Sequence, residues 1–313
     1  MSILERSYSI LIMIAVAAGL LFGQINGVSP VADAVIVPLL MIMLFFTFIQ
    51  VPFKDIKRSF SNLKFTITSI IMNFVLTPAL AWLLAAVFLT EHPALWIGFI
   101  MLMVTPCTDW YIVFTGIAKG NVALSASILP LNLLLQLILL PVYFYIFAGT
   151  AGVVDLQLIV ESILFVLVIP LVLSYMTRAI LARRKKEMPD NLESFPIIFL
   201  GLAIVAMFAS QGEVLLNNLN LLFLLLLPLL TFFVINFILG RLVGRALKFN
   251  HANTASLNMT TLARNSPIAL AIAITAFPHE PLIPLVLIIG PLIELPVLVI
   301  FSQIILRMGK HKD

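Results

Sequence analysis

Three ionisable side chains lie deep within long apolar stretches of the sequence: Asp109, Arg264 and Glu294. A charged group in the hydrocarbon of a membrane is costly unless it is paired or hydrated, so each of the three is a candidate functional residue. Groups of this kind bind ions or polar solutes, or carry protons. The sequence therefore directs attention to the segments around these three positions.

Each of these charges also has a purely structural explanation. Asp109 can cap a helix that restarts after Pro106, where a carboxylate meets main-chain N–H groups that have no other partner. Arg264 can neutralise the carbonyl end of a nearby helix, or it can pair with Asp109. Glu294 can be a protonated carboxyl that only donates a hydrogen bond. The residue types alone leave these alternatives open.

Helix-breaking residues interrupt two of the apolar stretches. Pro106 disrupts MLMVTPCTDWYIVF (101–114), and Ser266-Pro267 is a helix-start signal in the middle of TTLARNSPIALAIA (260–273). Broken backbone at membrane depth is tolerated where it is buried or lines a cavity. We therefore expect the two breaks to meet near the membrane centre and form a solute site. The predicted substrate-binding residues are Cys107, Thr108, Asp109, Arg264, Asn265 and Ser266. Polar residues predicted as further site lining are Asn73, Thr105, Ser125, Asn132 and Thr260.

The single cysteine, Cys107, excludes an intramolecular disulfide and a cysteine-based structural zinc site. A buried cysteine usually packs as a small hydrophobe, but a thiol beside a broken helix can contact a soft, thiophilic solute. The four histidines fall in loops or at the C-terminus, which disfavours a metal site. We expect neither a metal nor a cofactor.

The elements that must position these residues are membrane helices. Of the 313 residues, 62% are hydrophobic and 10% are charged, and the mean hydropathy is +1.17. This composition excludes a soluble domain and a disordered chain, and there is no alternating pattern of the kind that barrel strands show. The fold class predicted is an all-α integral membrane protein with ten spans. The expected spans are 8–25, 31–51, 65–89, 94–118, 121–147, 157–181, 194–210, 219–246, 252–276 and 281–306.

The distribution of cations predicts the orientation of these spans. Of the 18 Lys and Arg residues, every one except Arg264 falls on the same side of the ten-span topology. The positive-inside rule then places both termini in the cytoplasm and the chain in the cell membrane. The basic pI is thus a topology signal, and we expect no nucleic-acid partner.

An inverted pair of repeats follows from the number of spans. The chain is expected to form one transmembrane domain with repeats at about 1–150 and 151–313, each of five spans, with the breaks in spans four and nine. An odd number of spans per repeat inverts one repeat relative to the other, as is common in secondary transporters. An enzyme is not expected, because the spans contain neither histidine nor metal-ligand spacing.

Three stretches resemble the bile acid/sodium symporter superfamily: TPCTDWY…GIAKGNVALS (105–125), LARNSP (262–267) and GPLIELPV (290–297). Within it they are closer to the arsenical-resistance (arsenite efflux permease) branch, and the resemblance covers essentially the whole chain. In that branch the fourth-span cysteine and the tenth-span glutamate are associated with transport, and these match Cys107 and Glu294. The resemblance implies export of arsenite in exchange for protons.

The chain departs from the sodium symporters at their cation ligands. A glutamate and a glutamine of the ninth span correspond to Thr260 and Arg264, and a serine-asparagine pair corresponds to Tyr111-Ile112, although Ser125 is retained. A fixed guanidinium would repel a nearby sodium ion, so we expect sodium-independent transport. Typical arsenite permeases also lack the arginine and proline of LARNSP.

Two functions therefore stand as hypotheses. In the first, a secondary transporter exports arsenite by alternating access, with the solute at Cys107 and the coupling proton on Glu294. In the alternative, the solute is a small organic anion whose carboxylate is bound by Arg264 and by positive helix ends. The expected partners are a small inorganic or organic solute, protons and the lipid bilayer.

Overall fold

The computed structural model describes residues 3–51, 53–108, 110–148, 156–184, 192–217 and 219–310. In these ranges the chain is helical and forms no β-strand. Short 3₁₀ and π-helical segments adjoin several of the α-helices. The α-helices are α1 (Ile3–Gly23), α2 (Val28–Gln50), α3 (Leu63–Ile71), α4 (Thr77–Phe88), α5 (Pro93–Met103), α6 (Trp110–Ile117), α7 (Val122–Tyr143), α8 (Leu156–Ile163), α9 (Ile169–Arg183), α10 (Phe195–Asn217), α11 (Leu219–Ala246), α12 (His251–Leu262), α13 (Ser266–Ala276) and α14 (Leu282–Lys310).

Seven continuous helical stretches within the described ranges are long and apolar enough to cross a membrane. They coincide with predicted spans two, three, five, six, seven, eight and ten. The other three predicted spans coincide with shorter apolar helices, Met13–Gly23, Pro93–Met103 and Ser266–Ala276. The chain is thus an all-helical, multi-pass membrane protein. Its ten-span repeat architecture stays a prediction.

Proline shapes the third predicted span. A π-helical turn, Met72–Leu76, joins α3 to α4. Pro78 has no N–H group to donate to the carbonyl of Phe74 four residues earlier, and the Tyr143 hydroxyl donates to that oxygen instead, at 2.6 Å. π turns of this kind often occur at functional sites. This one contains Asn73, whose side chain is fully buried.

Asparagine caps begin three of the helices. The side-chain oxygens of Asn62, Asn121 and Asn250 accept the main-chain N–H groups three residues later, at the starts of α3, α7 and α12. These bonds satisfy N–H groups that the first helical turn leaves without an internal partner. The starts of these three helices, which carry much of the polar interior described below, are therefore fixed by local sequence.

The described helices group into two compact units. One comprises Met1–Val51, Asp155–Asn220 and Pro267–Ile288, and the other comprises Pro52–Val154, Leu221–Ser266 and Ile289–Asp313. Each unit draws segments from both of the predicted repeats. The repeat boundaries at about 150 remain a sequence-based prediction, since the units reflect packing and the repeats reflect chain order. We call the second the crossing unit, because it contains residues 104–108 and 263–265, whose main chains pair with each other.

Small residues allow close helix packing within the first unit. A β-carbon added at Gly19 of α1 would lie 2.6 Å from both the carbonyl oxygen of Val205 and the β-carbon of Phe208 in α10. Main-chain atoms cannot move aside as a flexible side chain can. Close contact of this kind is how membrane helices gain van der Waals stabilisation without a hydrophobic driving force.

Replacing Gly19 with alanine is expected to destabilise the fold by about 1–3 kcal/mol, as overpacking does. The matched control is Gly116→Ala, because a β-carbon at Gly116 would meet nothing closer than 3.7 Å. Alanine at that helical position should be neutral or slightly stabilising. Thermal unfolding of the detergent-purified protein measures both. Equal melting temperatures for the two variants would contradict the close-packing argument.

Candidate functional site

Two helices stop where the sequence contains breaking residues, and new helices start a few residues later. Helix α5 ends at Met103 and α6 begins at Trp110, with Pro106 between them. Helix α12 ends at Leu262 and α13 begins at Ser266, with Pro267 in its first turn. We call residues 104–108 and 263–265 together the crossing.

The two segments of the crossing pair with each other through their main chains. The N–H of Cys107 donates to the carbonyl of Ala263 at 3.0 Å, and the N–H of Asn265 donates to the carbonyl of Thr105 at 2.7 Å. This pairing is an antiparallel bridge centred on Pro106 and Arg264. Non-helical backbone inside a membrane needs partners, and each segment here provides them for the other.

Side chains reinforce the same pairing. The amide nitrogen of Asn265 donates to the hydroxyl oxygen of Thr108 at 3.2 Å. The hydroxyl of Thr105 contacts the carbonyls of Met101 and Leu102 in the last turn of α5 and that of Asn265, at 3.0–3.3 Å. Four of the predicted site residues are therefore within one hydrogen-bonded cluster, namely Cys107, Thr105, Thr108 and Asn265.

Cys107 is buried in the crossing, with 2% of its surface exposed. Its position is fixed through its main-chain bond to Ala263, so the thiol is held by backbone pairing. Ser266, the first residue of α13, is also buried. Asp109 lies outside the described residues. Its predicted roles in helix capping and substrate binding therefore stay predictions.

Arg264 is fully buried and donates to four oxygen atoms of the protein. Its Nε donates to the carbonyl of Leu262 at 3.3 Å, and one terminal nitrogen donates to the carbonyl of Met103 at 3.0 Å. The other terminal nitrogen donates to the side-chain oxygen of Asn73 at 3.2 Å and to the carbonyl of Thr261. We call these four acceptors the oxygen cage.

The cage gives Arg264 a defined structural role. A guanidinium has five N–H donors, and four of them are used here. Three of the acceptors are carbonyls of the last turns of α5 and α12, where a helix leaves carbonyls unpartnered and carries partial negative charge. This matches the expectation that Arg264 neutralises a helix end. The four bonds leave one N–H of the guanidinium to bind an organic anion, so the hypothesis of an organic-anion transporter is less supported.

Glu294 is bonded to the crossing itself. Its Oε1 accepts the main-chain N–H of Arg264 at 2.9 Å, and 3% of its surface is exposed. The bond is to the main chain of Arg264, whereas the guanidinium is directed to the oxygen cage. The predicted proton carrier therefore contacts the same segment that pairs with Cys107.

The remaining predicted lining residues lie along α7 and α12 of the crossing unit. The amide of Asn132 donates to the hydroxyl of Thr260 at 3.5 Å. Ser125 is further from the crossing along α7, and its hydroxyl lies 3.4 Å from that of Thr115. Its carbonyl accepts the hydroxyl of Tyr111 at 2.7 Å.

Sequence reasoning missed two features of this site. Three of the four cage oxygens belong to main-chain carbonyls, which no residue type identifies. The second feature is Gln136, which the sequence predicts, like Asn132, to be either a helix-packing or a site-lining residue. Its amide is buried and has no protein partner among the described residues, and its spacing of four from Asn132 puts the two on one helix face.

Comparison with known proteins identifies the family of the chain. The profile of the Sodium Bile acid symporter family matches residues 37–218, more than half of the chain. The arsenical-resistance protein Acr3 of Corynebacterium glutamicum is 27% identical, over 98% of this chain and 90% of its own length. The Acr3 protein of Alkaliphilus metalliredigens is 25% identical over 85% and 79%, and an uncharacterized transporter of Synechocystis is 22% identical over 97% and 88%. The chain belongs to the sodium bile acid symporter family.

Proposed function

We propose that this transporter exports arsenite, or a closely related metalloid, in exchange for protons and independently of sodium. It does so by alternating access in a ten-span, inverted-repeat fold with both termini in the cytoplasm. The relatives named arsenical-resistance proteins support the substrate, since they match the chain over most of its length. The crossing supplies a site of suitable chemistry.

One observation carries the coupling part of this proposal, the hydrogen bond from the Arg264 main chain to Glu294. Ala263, the residue before Arg264 in the same segment, accepts the main-chain N–H of Cys107 from the other segment. A hydrogen bond to a charged carboxylate is about twice as strong as one to a neutral acceptor. Loading Glu294 with a proton thus weakens its bond to the crossing, and losing the proton restores it. Proton exchange at Glu294 and solute binding at Cys107 act on one short stretch of backbone.

The substrate chemistry fits the side chains of the crossing. Arsenous acid is neutral at physiological pH, and its arsenic is thiophilic, so it can contact the Cys107 sulfur. Its hydroxyls can bond to Thr108, Asn265, Ser266 and Asp109. A single thiol holds the solute weakly, because three thiolates are needed to replace all of its hydroxyls. Weak binding suits a transporter that must release its solute.

Sodium independence follows from the oxygen cage. Carbonyl and amide oxygens around a buried space are the ligands that hard cations prefer. In this chain the guanidinium of Arg264 donates to all four cage oxygens. The cage therefore holds a permanent cation that is part of the protein, and a second cation there would be repelled.

Replacing Cys107 with alanine is expected to abolish arsenite flux driven by a pH gradient. The measurement is arsenite transport into proteoliposomes with an imposed pH gradient, with and without sodium, for the wild type and for the variant. Cys107→Ser is the matched control, since it keeps the size and a hydroxyl but loses the thiophilic sulfur. Undiminished flux in the alanine variant would exclude Cys107 as a substrate ligand. Wild-type flux that required sodium would contradict sodium independence.

A further inference from the structure

Gln136 is a buried amide that finds no partner within the part of the chain that the structure describes. Its side chain is 0% exposed in α7 of the crossing unit, and neither Nε2 nor Oε1 has a hydrogen-bond partner among the described residues. The Oδ1 of Asn132, one turn earlier on the same helix face, is also unpartnered there. The Nδ2 of Asn132 donates to Thr260. Three polar atoms on one face of α7 thus lack protein partners.

Such atoms are rare in a folded protein and costly inside a membrane. A buried amide group without a partner loses its hydrogen bonds to water and gains none in return. In native structures, buried polar groups that have no protein partner are usually satisfied by water or a bound ligand. An unsatisfied amide with both its donor and its acceptors available therefore indicates a position where something polar binds.

Gln136 lies on the side of Asn132 along α7 that leads toward the crossing. Asn121, just before α7, contacts Asn253 near the start of α12, and Asn132 contacts Thr260 near its end, so the two helices run in the same direction. Helix α12 ends two residues after Thr260. Gln136 lies four residues, about 6 Å, beyond Asn132 in that direction. From Thr260 to the end of α12 the rise is only about 3 Å, so Gln136 lies beyond Asn132 in the direction in which α12 leads into residues 263–265.

We propose that Gln136 and Asn132 form a hydroxyl-binding part of the solute site, selective for neutral solutes that both donate and accept hydrogen bonds. This inference rests on the proposed function and deepens it. Unpartnered Oε1 and Oδ1 accept hydrogen bonds from solute hydroxyls, and Nε2 donates to a solute oxygen. An anion without hydroxyl groups could not satisfy the two acceptors, because it has no hydrogen to donate. Neutral arsenous acid has three hydroxyls that meet this requirement.

The test compares Gln136→Leu with the wild type by equilibrium titration of the detergent-purified full chain. The probes are arsenous acid, acetate as an anion without hydroxyl groups, and boric acid as a neutral hydroxyl compound without thiophilic chemistry. We expect about tenfold or greater loss of affinity for arsenous acid, because a site built for a hydroxyl is left without its partner. The melting temperature of the solute-free protein should be unchanged or higher, since leucine removes an unpartnered amide. Gln211→Leu is the matched control, because Gln211 also has an unpartnered side-chain oxygen but lies in α10 of the first unit.

The outcomes separate this inference from the proposed function. Equal affinity of Gln136→Leu and wild type for arsenous acid would overturn the inference and leave arsenite binding in place. A lowered melting temperature together with lost binding would assign Gln136 to the fold and also overturn it. If the wild type bound no arsenous acid, the proposed substrate would be wrong. Boric acid binding would then test the inference. Boric acid that binds to the wild type and not to Gln136→Leu would support it, and no boric acid binding to the wild type would overturn it.

Discussion

Glutamine in place of Glu294 is expected to abolish proton-driven arsenite exchange while leaving the fold and solute binding intact. The amide oxygen of glutamine can still accept the main-chain N–H of Arg264, which in the wild type lies 2.9 Å from Oε1. The backbone pairing of the crossing is therefore preserved. What is lost is the ability to take up and release a proton, which intramembrane carboxylates provide in many transporters.

The measurement combines two assays on the same variant. Arsenite flux driven by a pH gradient should fall to the background of empty vesicles, whereas arsenite binding to the purified variant should stay close to wild type. Glu161→Gln is the matched control, because Glu161 is an exposed carboxylate in α8 that accepts a hydrogen bond from the side-chain amide of Gln157 at 2.8 Å. Flux that persisted in Glu294→Gln would exclude Glu294 as the proton carrier. Binding lost together with flux would mean that Glu294 acts on the site itself.

The local breaks in the helices could be read from the sequence because their causes are local. Pro106 cannot donate an N–H within a helix, and Ser266-Pro267 favours a helix start, so the ends of α5 and α12 and the start of α13 follow from neighbouring residues. The helix boundaries Met103, Leu262 and Ser266 agree with that reasoning. What these segments then contact is not a local property.

The partners of Arg264 illustrate the limit. The sequence offered Asp109 or a helix end as partners, and could not choose between them. The guanidinium bonds to carbonyls from two helices about 160 residues apart, and every residue carries such a carbonyl. The side-chain oxygen of Asn73, in the π turn Met72–Leu76, joins them from a position 191 residues away in the chain. Contacts made by main-chain atoms leave no residue-type signature.

The substitution Arg264→Ala is expected to have the second large effect, and its effect is on folding rather than on binding alone. It would remove a donor from four buried oxygens, three of them at helix ends where negative partial charge collects. The carbonyl of Thr261 would keep the side-chain amide of Asn236 as a donor, at 2.6 Å. Removing one partner from a buried charged network typically costs about 3–5 kcal/mol. That is a large part of the stability of a typical domain.

Thermal unfolding of the solute-free protein in detergent distinguishes this role from anion binding. If Arg264 exists to bind a carboxylate, the unliganded Arg264→Ala protein should be as stable as wild type and should fail only in binding. If it supports the crossing, the variant should melt at a markedly lower temperature before any solute is added. Arg245→Ala controls for loss of an arginine, since Arg245 is exposed in the last turn of α11 and its removal should change stability by about 0.5 kcal/mol or less.

Lysine at position 264 separates the charge from the geometry. Arg264→Lys keeps the positive charge, but an ammonium has three donors on one atom and cannot span four oxygens arranged for a planar guanidinium. We therefore expect stability between those of wild type and Arg264→Ala, and arsenite flux reduced in proportion to the loss of fold. Full stability in the lysine variant would mean that charge alone is needed at the helix ends. The planar arrangement of the cage would then be incidental, and the argument for sodium independence would rest on charge repulsion only.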